Sequence, residues 1–345
     1  MRPFAQLTAR GQQRRLRQLA LLALDRYDLE DPGLRFVHHG ENTVFRLDTA
    51  QRLLPPDSPF IPGRYLLRIH GATYNTPPEI ASELLWLQAL RDDLNLAVPE
   101  PLLSRAGPFA IQVAAPGVPE PRTCSILRWM HGAQQARHPQ PHHVKKLGRL
   151  TALLHQHASQ WQPPASFVRR RWDWDGMFGD NAHFGRDTAT VWAQVPAQYR
   201  SSFEAVADRL QQAMHDLGET PATFGLIHAD LHLWNVLYAA GEARAIDFDD
   251  CGWGYWIYDL AVILGRWRTD DRWEAMRDTL LRGYAEIRPF PSDQLDYLDT
   301  FIAARAVSVM LWVVGKAIDD PSFRPYVASD LERTAPLVET LLAQR

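Results

Sequence analysis

Cysteine is scarce in this chain of 345 residues, which holds only Cys124 and Cys251. Two cysteines this far apart cannot build a disulfide framework, and they lack the close spacing of a cysteine metal site. A chain of this kind has no need of an oxidising compartment. We therefore expect it to be cytoplasmic.

Apolar runs of bilayer length are also missing from the sequence. A membrane-spanning helix needs about 20 consecutive apolar residues. The run Leu19–Leu24 is followed directly by Asp25, and the run Val307–Val314 lies between Arg305 and Lys316. We predict an amphipathic helix for the first run, a buried core helix for the second, and no membrane partner.

Charge of one sign is not in excess, since the formal net charge is only −3. This argues against a general nucleic-acid binder. Residues 1–150 hold 19 Lys and Arg against 13 Asp and Glu, whereas residues 221–345 hold 12 against 19. The basic half suits phosphate groups, and the acidic half suits a divalent cation or a positively charged ligand. Two differently solvated surfaces would give the same distribution.

Three polar side chains within 226–259 have the spacing of a kinase catalytic loop. In the pattern His228-x-Asp230-x-x-x-x-Asn235 the aspartate accepts the hydroxyl proton and the asparagine holds a metal ion. Asp247 ends a short apolar run after this loop, where kinases carry a second metal-binding carboxylate. We therefore predict that Asp230 is catalytic, that Asn235 and Asp247 hold Mg²⁺, and that His228 braces the loop.

Phosphoryl transfer explains why these residue types occur together. The transferred group carries dispersed negative charge, so the protein mainly supplies metal ions, cations and a positioned hydroxyl. Mg²⁺ is a hard ion that prefers oxygen ligands and keeps several waters. The pattern around the motif, strand 224–227, loop, strand 236–238, a turn at Gly241 and a strand ending at Ile246, supports this interpretation.

Two other classes of function remain open from these residues. His228, Asp230 and His232 form an H-x-D-x-H cluster that a metal-dependent hydrolase could use, although no histidine follows His232. A catalytically inactive binding module would be expected to have lost Asp230, Asn235 or Asp247, and all three are present.

The first part of the chain has the pattern of a small β-rich lobe. Strands over 34–38 and 44–47 are joined by a turn containing Gly40 and Asn42, where glycine allows positive φ and a close approach to phosphate. An ordinary hairpin turn has the same pattern. The proline-rich segment 53–63 is predicted to be an exposed loop. A strand follows over 65–70, with Arg68 on one face.

The segments IHADLHLWNVLY and AIDFDDCGWGYWIYDLA resemble motifs of the aminoglycoside phosphotransferases and related small-molecule kinases. They are also similar to homoserine-kinase-like and stress-response-kinase-like members of the same protein-kinase-like superfamily. The resemblance implies an α+β fold of two lobes: a nucleotide-binding lobe over 1–130 with an N-terminal helix, and a mainly helical catalytic and acceptor-binding lobe over 131–345. It also implies ATP and Mg²⁺ as cofactors.

The resemblance assigns nucleotide-binding roles to residues of the first lobe. Arg68 stands where the family usually has lysine, and its planar guanidinium can bind phosphate and carboxylate together. Glu83 corresponds to its helix partner; Glu79 is second choice, because it belongs to a capping box with Thr76. The hinge residues Leu127, Trp129 and Met130 are expected to contact the adenine, although a plain buried strand fits them equally well.

The acceptor is expected to be a hydroxyl of a small molecule, such as an aminoglycoside, homoserine or an amino alcohol. Only eleven residues separate Asp247 from Asp259, which leaves no room for the long segment that presents peptides in protein kinases. Asp259 resembles the buried aspartate that supports the catalytic loop. Asp249 and Asp250 could attract an amine. A serine/threonine protein kinase of the stress-response type is the alternative.

Overall fold

Strands dominate the first third of the chain, and helices dominate the rest. The computed structural model describes residues 2–50 and 54–343. The first third contains these elements: α1 (Ala9–Leu24), β1 (Gly33–His39), β2 (Thr43–Asp48), β3 (Phe60–Ile69), α2 (Pro77–Leu94), β4 (Ala110–Val113) and β5 (Arg122–Met130). The remainder contains these: β6 (Ala133–Gln134), α3 (Pro141–Gln160), β7 (Arg171–Trp172), α4 (Trp174–Phe178), α5 (Thr188–Gln194), α6 (Ala197–Leu217), β8 (Phe224–Ile227), β9 (Val236–Ala239), β10 (Glu242–Ala245), β11 (Gly252–Tyr255), α7 (Trp256–Leu264), α8 (Trp273–Ala285), α9 (Leu298–Asp319) and α10 (Arg324–Ala343).

The described residues form two compact units. The first includes the chain up to Ala133 together with Pro163–Val168 and Arg244–Asp249. The second includes Gln134–Gln162, Arg169–Ala243 and the chain from Asp250 onward. The predicted α+β class with a β-rich first part is confirmed. The two short segments that join the first unit were not part of the predicted division at residue 130.

The first unit is built on an antiparallel sheet with strand order β1-β2-β3-β5-β4. Alternation along β3 places Tyr65, Leu67 and Ile69 in a hydrophobic core to which Leu16 and Leu19 of α1 also belong. The predicted amphipathic N-terminal helix is therefore present. Arg68 lies on the opposite face of β3, as the two-residue period of a strand requires, and it is also buried.

Strand β3 begins earlier than predicted. The sequence indicated a loop through Gly63, but β3 starts at Phe60, which pairs with Met130 of β5. Gly63 has a φ of 67°, and the pairing register changes between Phe60 and Tyr65. A bulge at this glycine thus lets the strand continue in spite of Pro62. Leu53, the first residue of the predicted loop, lies outside the described residues.

The segment 98–101 forms no regular strand. It forms one isolated bridge, between Pro101 and Leu127. Proline cannot donate a main-chain hydrogen bond, so this segment cannot extend a regular ladder. The start of α2 does follow the prediction, because Glu79 accepts hydrogen bonds from the main-chain N–H and the hydroxyl of Thr76, both at 2.8 Å.

Helix α9 is the central helix of the second unit and packs against α6, α7 and α10. The stretch Ser292–Asp319 is long and apolar enough to cross a membrane by length and composition alone, but 61% of its most apolar window is buried inside the structure. Core helices of globular proteins share this composition. The predicted burial of 307–314 is confirmed for most of its residues.

Candidate active site

The loop after β8 is held by a buried carboxylate. Asp259 of α7 is fully buried, and its Oδ2 and Oδ1 accept hydrogen bonds from the main-chain N–H groups of His228 (3.0 Å) and Ala229 (2.7 Å). Ala229 has a φ of 66°, a left-handed conformation that costs an alanine about 1–3 kcal/mol. The carboxylate therefore stabilises a strained turn directly before Asp230, as the resemblance implied for Asp259.

A buried histidine completes the support of this carboxylate. Nε2 of His155 lies 3.1 Å from Asp259, and Nδ1 lies 2.9 Å from the hydroxyl of Tyr284. Burial lowers the pKa of His155, with the charge of Arg288 acting in the same direction and Asp259 opposing it. Burial would raise the pKa of Asp259, but the hydrogen bond and charge of His155 together with His228 lower it. The pair is thus a neutral imidazole on an ionised carboxylate.

We expect acidification to destabilise the protein through His155. An unfolded histidine takes up a proton near pH 6.5, whereas the folded chain resists protonation of this one. The unfolded state then binds more protons, so stability is present above about pH 6.5 and is lost as the pH falls toward the lowered pKa. Melting temperatures between pH 7.5 and 5.5 should therefore fall less steeply for His155→Gln than for the parent. The exposed-site variant His215→Gln should keep the parental slope; equal slopes for His155→Gln would contradict the prediction.

Two side chains donate hydrogen bonds to Asp230, one to each carboxylate oxygen, and Nε2 of His232 lies 3.5 Å from Oδ2. Nδ2 of Asn235 donates to Oδ2 of Asp230 and to its main-chain oxygen, both at 2.9 Å. Arg305 donates to Oδ1 of Asp230. Burial raises the pKa of Asp230, and the charges of Arg305 and His232 oppose that effect. The structure therefore brings together two of the three residues predicted for the centre of the site.

Arg305 was not found by sequence reasoning. It lies on α9, and its guanidinium contacts Asp230 and, at 3.3 Å, the hydroxyl of Tyr258. The signal that could have found it is an arginine at the edge of the apolar run of a core helix, because a cation held in a protein interior requires a partner. The partner itself could not be read from the sequence, since Asp230 is 75 positions away.

In the first unit, Arg68 lies between Glu83 of α2 and Asp247. Nη1 of Arg68 donates to Glu83 at 2.8 Å, and Nη2 lies 3.8 Å from Oδ1 of Asp247. Glu83 is fully buried, whereas the side chain of Asp247 is 51% exposed. Burial would lower the pKa of Arg68, but Glu83, Asp249 and Asp247 together raise it. Arg68 is thus fixed by Glu83 on one side and faces the accessible carboxylate of Asp247 on the other.

We expect Glu83→Gln to weaken nucleotide binding. The amide keeps one acceptor for Arg68 but removes the buried charge, and a hydrogen bond to a charged group contributes about 1.5–3 kcal/mol. The nucleotide KM should rise about tenfold. Urea unfolding should show that the variant is less stable by about 1.5–3 kcal/mol. The exposed-site control Glu30→Gln should change neither quantity, and parental values for Glu83→Gln would contradict the prediction.

The turn with Gly40 and Asn42 differs from its predicted form. Gly40 does not adopt positive φ, so glycine is not required there for that reason. Nδ2 of Asn42 donates to Oδ2 of Asp249 at 2.6 Å, and its Oδ1 accepts from the N–H of Gly71 at 3.3 Å. The predicted phosphate-binding role of Gly40 and Asn42 stays a prediction, and the amide of Asn42 serves a contact that the sequence did not indicate.

The three hinge residues lie toward the end of β5. Leu127 is opposite Leu66 of β3 and bridges Pro101 on its other side. Leu127 thus lies within the sheet, and its adenine-binding role stays a prediction. Trp129 is half-buried and Met130 is buried. The adenine-binding role stays a prediction for these two.

The carboxylates after Asp247 are engaged inside the protein. Asp249 accepts from Asn42, and Asp250 lies 3.5 Å from Nη1 of Arg170. The main-chain oxygen of Asp250 accepts from Nε1 of Trp172 at 2.8 Å. Each carboxylate therefore has a partner within the protein, and its attraction for an amine stays a prediction.

A sequence profile of the phosphotransferase enzyme family matches residues 33–294 of this chain. The chain belongs to this family. Amicoumacin kinase of Bacillus subtilis strain 168 is 24% identical over 263 residues, which cover 72% of this chain and 67% of that protein. The family resemblance expected from the two catalytic motifs is confirmed.

Two solved structures extend the similarity over nearly the whole phosphotransferase chain. A microcompartment-associated aminopropanol kinase has a TM-score of 0.80 at 28% identity and covers 94% of this chain and 97% of its own. Amicoumacin kinase hAmiN, in complex with AMP-PNP, Ca²⁺ and Ami, has a TM-score of 0.76 at 20% identity and covers 97% and 96%. The second likeness concerns the fold alone. The predicted protein-kinase-like fold is confirmed.

Membership of the phosphotransferase family settles the class of reaction. The protein is a kinase that transfers a phosphoryl group to an alcohol group. The hydrolase alternative also lacks a ligand set: within residues 2–50 and 54–343, no three His, Cys, Asp or Glu side chains gather to hold a metal ion.

Proposed function

We propose that this phosphotransferase moves the γ-phosphoryl group of ATP to the hydroxyl of a small amino alcohol, with Mg²⁺ as the metal. The observation that carries the proposal is the clamp on Asp230, whose two carboxylate oxygens are bound by Asn235 and Arg305. A carboxylate fixed in this way is suited to orient an acceptor hydroxyl. The similarity to an aminopropanol kinase supports the amino-alcohol class; homoserine-like and aminoglycoside-like acceptors belong to the same proposal.

The oxygen atoms that Asn235 and Asp247 each offer are of the kind that suits a magnesium ion. Both hydrogen bonds of the Asn235 amide group to Asp230 come from Nδ2, so the atom that Asn235 can offer a metal is Oδ1. The carboxylate of Asp247 is half exposed. Two oxygen donors, one neutral and one charged, are the ligands that Mg²⁺ prefers beside nucleotide phosphates. When bound, the ion would neutralise charge that develops on those phosphates.

In the proposed reaction each remaining residue has one task. Asp230 orients the acceptor hydroxyl and receives its proton as the bond from oxygen to phosphorus forms and the bond from phosphorus to the ADP oxygen breaks. Arg68, fixed by Glu83, binds the α and β phosphates. Asp259 keeps the turn before Asp230 in its strained conformation. We also propose that the reaction takes place in the cytoplasm.

The region after Asp247 supports a small acceptor over a protein. Strand β11 and the start of α7 occupy Gly252–Tyr255 and Trp256 onward, so most of the segment before Asp259 is regular structure. Protein kinases carry a long activation segment here. A protein acceptor of the stress-response type remains the second candidate, which the experiment below separates from the first.

The experiment is an acceptor screen with Mg²⁺ that measures release of ADP from ATP or of GDP from GTP. The panel contains 1-amino-2-propanol, homoserine, choline, an aminoglycoside, a sugar and casein as a generic protein. We expect ATP consumption that depends on one amino alcohol, with the phosphate ester detected by mass spectrometry. Phosphorylation of casein alone would favour the protein-kinase candidate. No acceptor-dependent consumption, by a protein that melts cooperatively, would contradict the proposal.

A further inference from the structure

A cation reaches the predicted catalytic carboxylate from the core helix of the second unit. Arg305 of α9 pairs with Oδ1 of Asp230, and its side chain keeps 21% of its exposure. The motif that predicted Asp230 and Asn235 contains no such arginine. We propose that Arg305 is a positioning residue that fixes the carboxylate of Asp230 for the acceptor hydroxyl, an inference that rests on the proposed function.

Hydrogen bonds from Asn235 and Arg305 together fix the orientation of the Asp230 carboxylate. Asn235 binds Oδ2 from within the loop, at 2.9 Å, and Arg305 binds Oδ1 from α9. Rotation of the carboxylate about its last bond would break both contacts at once. In the proposed function Asn235 has a second role, because it also binds the metal. The contact of Arg305 with Asp230 serves only to orient the carboxylate.

Arg305 is itself fixed by packing. Its Nη1 donates to the hydroxyl of Tyr258 at 3.3 Å, and Tyr258 is fully buried. The ring of Tyr258 stacks on Trp172 with centroids 5.7 Å apart. Both rings lie in the core, so the guanidinium of Arg305 has a rigid support. Its contact with Asp230 in turn restricts the movement of that carboxylate.

In phosphoryl transfer the position of the catalytic aspartate matters more than its basicity. In a loose transition state little bond to the incoming oxygen has formed, so the main task of the aspartate is to aim the hydroxyl. A permanently charged partner on Asp230 is compatible with that task. Loss of the partner should therefore lower kcat and leave the nucleotide KM unchanged.

Arg305→Met and Arg305→Lys test this role, with Arg324→Met on an exposed part of α10 as the matched control. Misplacement of a catalytic group by about 1 Å can cost roughly 10²-fold in rate, so we expect a kcat loss of about that size for Arg305→Met. Lysine keeps the charge but cannot contact Asp230 and Tyr258 together. Arg305→Lys should therefore fall between Arg305→Met and the parent, and Arg324→Met should match the parent.

A double variant separates positioning from a general structural effect. If Arg305 acts through Asp230, adding Arg305→Met to Asp230→Asn should lower the residual kcat no further. Losses that multiply in the double variant would overturn the proposal, as would parental kcat in Arg305→Met. If Arg305→Met does not fold, Arg305→Lys decides: reduced kcat at unchanged melting temperature and nucleotide KM supports the role, and parental kcat overturns it.

The same measurements separate this inference from the proposed function. A parent protein with no acceptor-dependent turnover refutes the proposed function. A parent that turns over an acceptor, together with an Arg305→Met variant of equal kcat, refutes the positioning role alone.

Discussion

Asp230→Asn will lower kcat for the acceptor by about 10²- to 10⁴-fold, the range that a positioned general base contributes. The amide has nearly the same shape but cannot receive the hydroxyl proton. It also loses the charge that pairs with Arg305. Nucleotide affinity should stay within about twofold of the parent, because the predicted phosphate contacts belong to Arg68 and the metal ligands. Steady-state kinetics and nucleotide titration by fluorescence measure the two quantities.

The control for this variant is Asp208→Asn, which removes the same charge from an exposed position of α6. Its kcat should equal that of the parent. A parental rate in Asp230→Asn would show that another residue receives the proton. A loss of nucleotide affinity as large as the loss of kcat would show instead that Asp230 acts on the nucleotide.

Asp259→Ala will destabilise the protein by about 3–5 kcal/mol, since it removes the buried acceptor of two main-chain N–H groups and of His155. It will also lower kcat, because the strained backbone at Ala229 is then free to relax and move Asp230. Urea unfolding and steady-state kinetics measure the two effects.

The variant Asp296→Ala, at an exposed aspartate, serves as the control and should change neither quantity. A stable Asp259→Ala protein with parental kcat would mean that the turn needs no support from α7. A stable protein with reduced kcat would mean that the carboxylate serves the geometry of the turn more than the stability of the fold.

Local patterns in the sequence predicted what depends on neighbours along the chain. The faces of β3 and the start of α2 follow from alternation and from a capping box, and the family resemblance implied Glu83 as the partner of Arg68. The bulge at Gly63 was missed because a glycine among prolines has the pattern of a loop. That pattern contains no information about the partner strand β5.

Contacts between distant positions could not be predicted from the sequence. Asn42 and Asp249 are 207 positions apart, and Arg305 and Asp230 are 75 apart. Each residue has an ordinary role on its own, as a turn amide or as a charge in a helix. Only the folded chain shows that their side chains meet, because such pairing is fixed by packing and not by local propensity.

The Asp-Phe-Asp segment has a consequence for control of the enzyme. Phe248 is fully buried against Trp86, with ring centroids 5.5 Å apart. Asn42 and Asn75 bind the side chain and the main-chain oxygen of Asp249, where protein kinases have a flexible glycine. Hydrogen bonds to both groups restrict the rotation of this segment by which protein kinases become inactive. We therefore expect this enzyme to be always competent, so that its output in the cell follows the supply of nucleotide and acceptor.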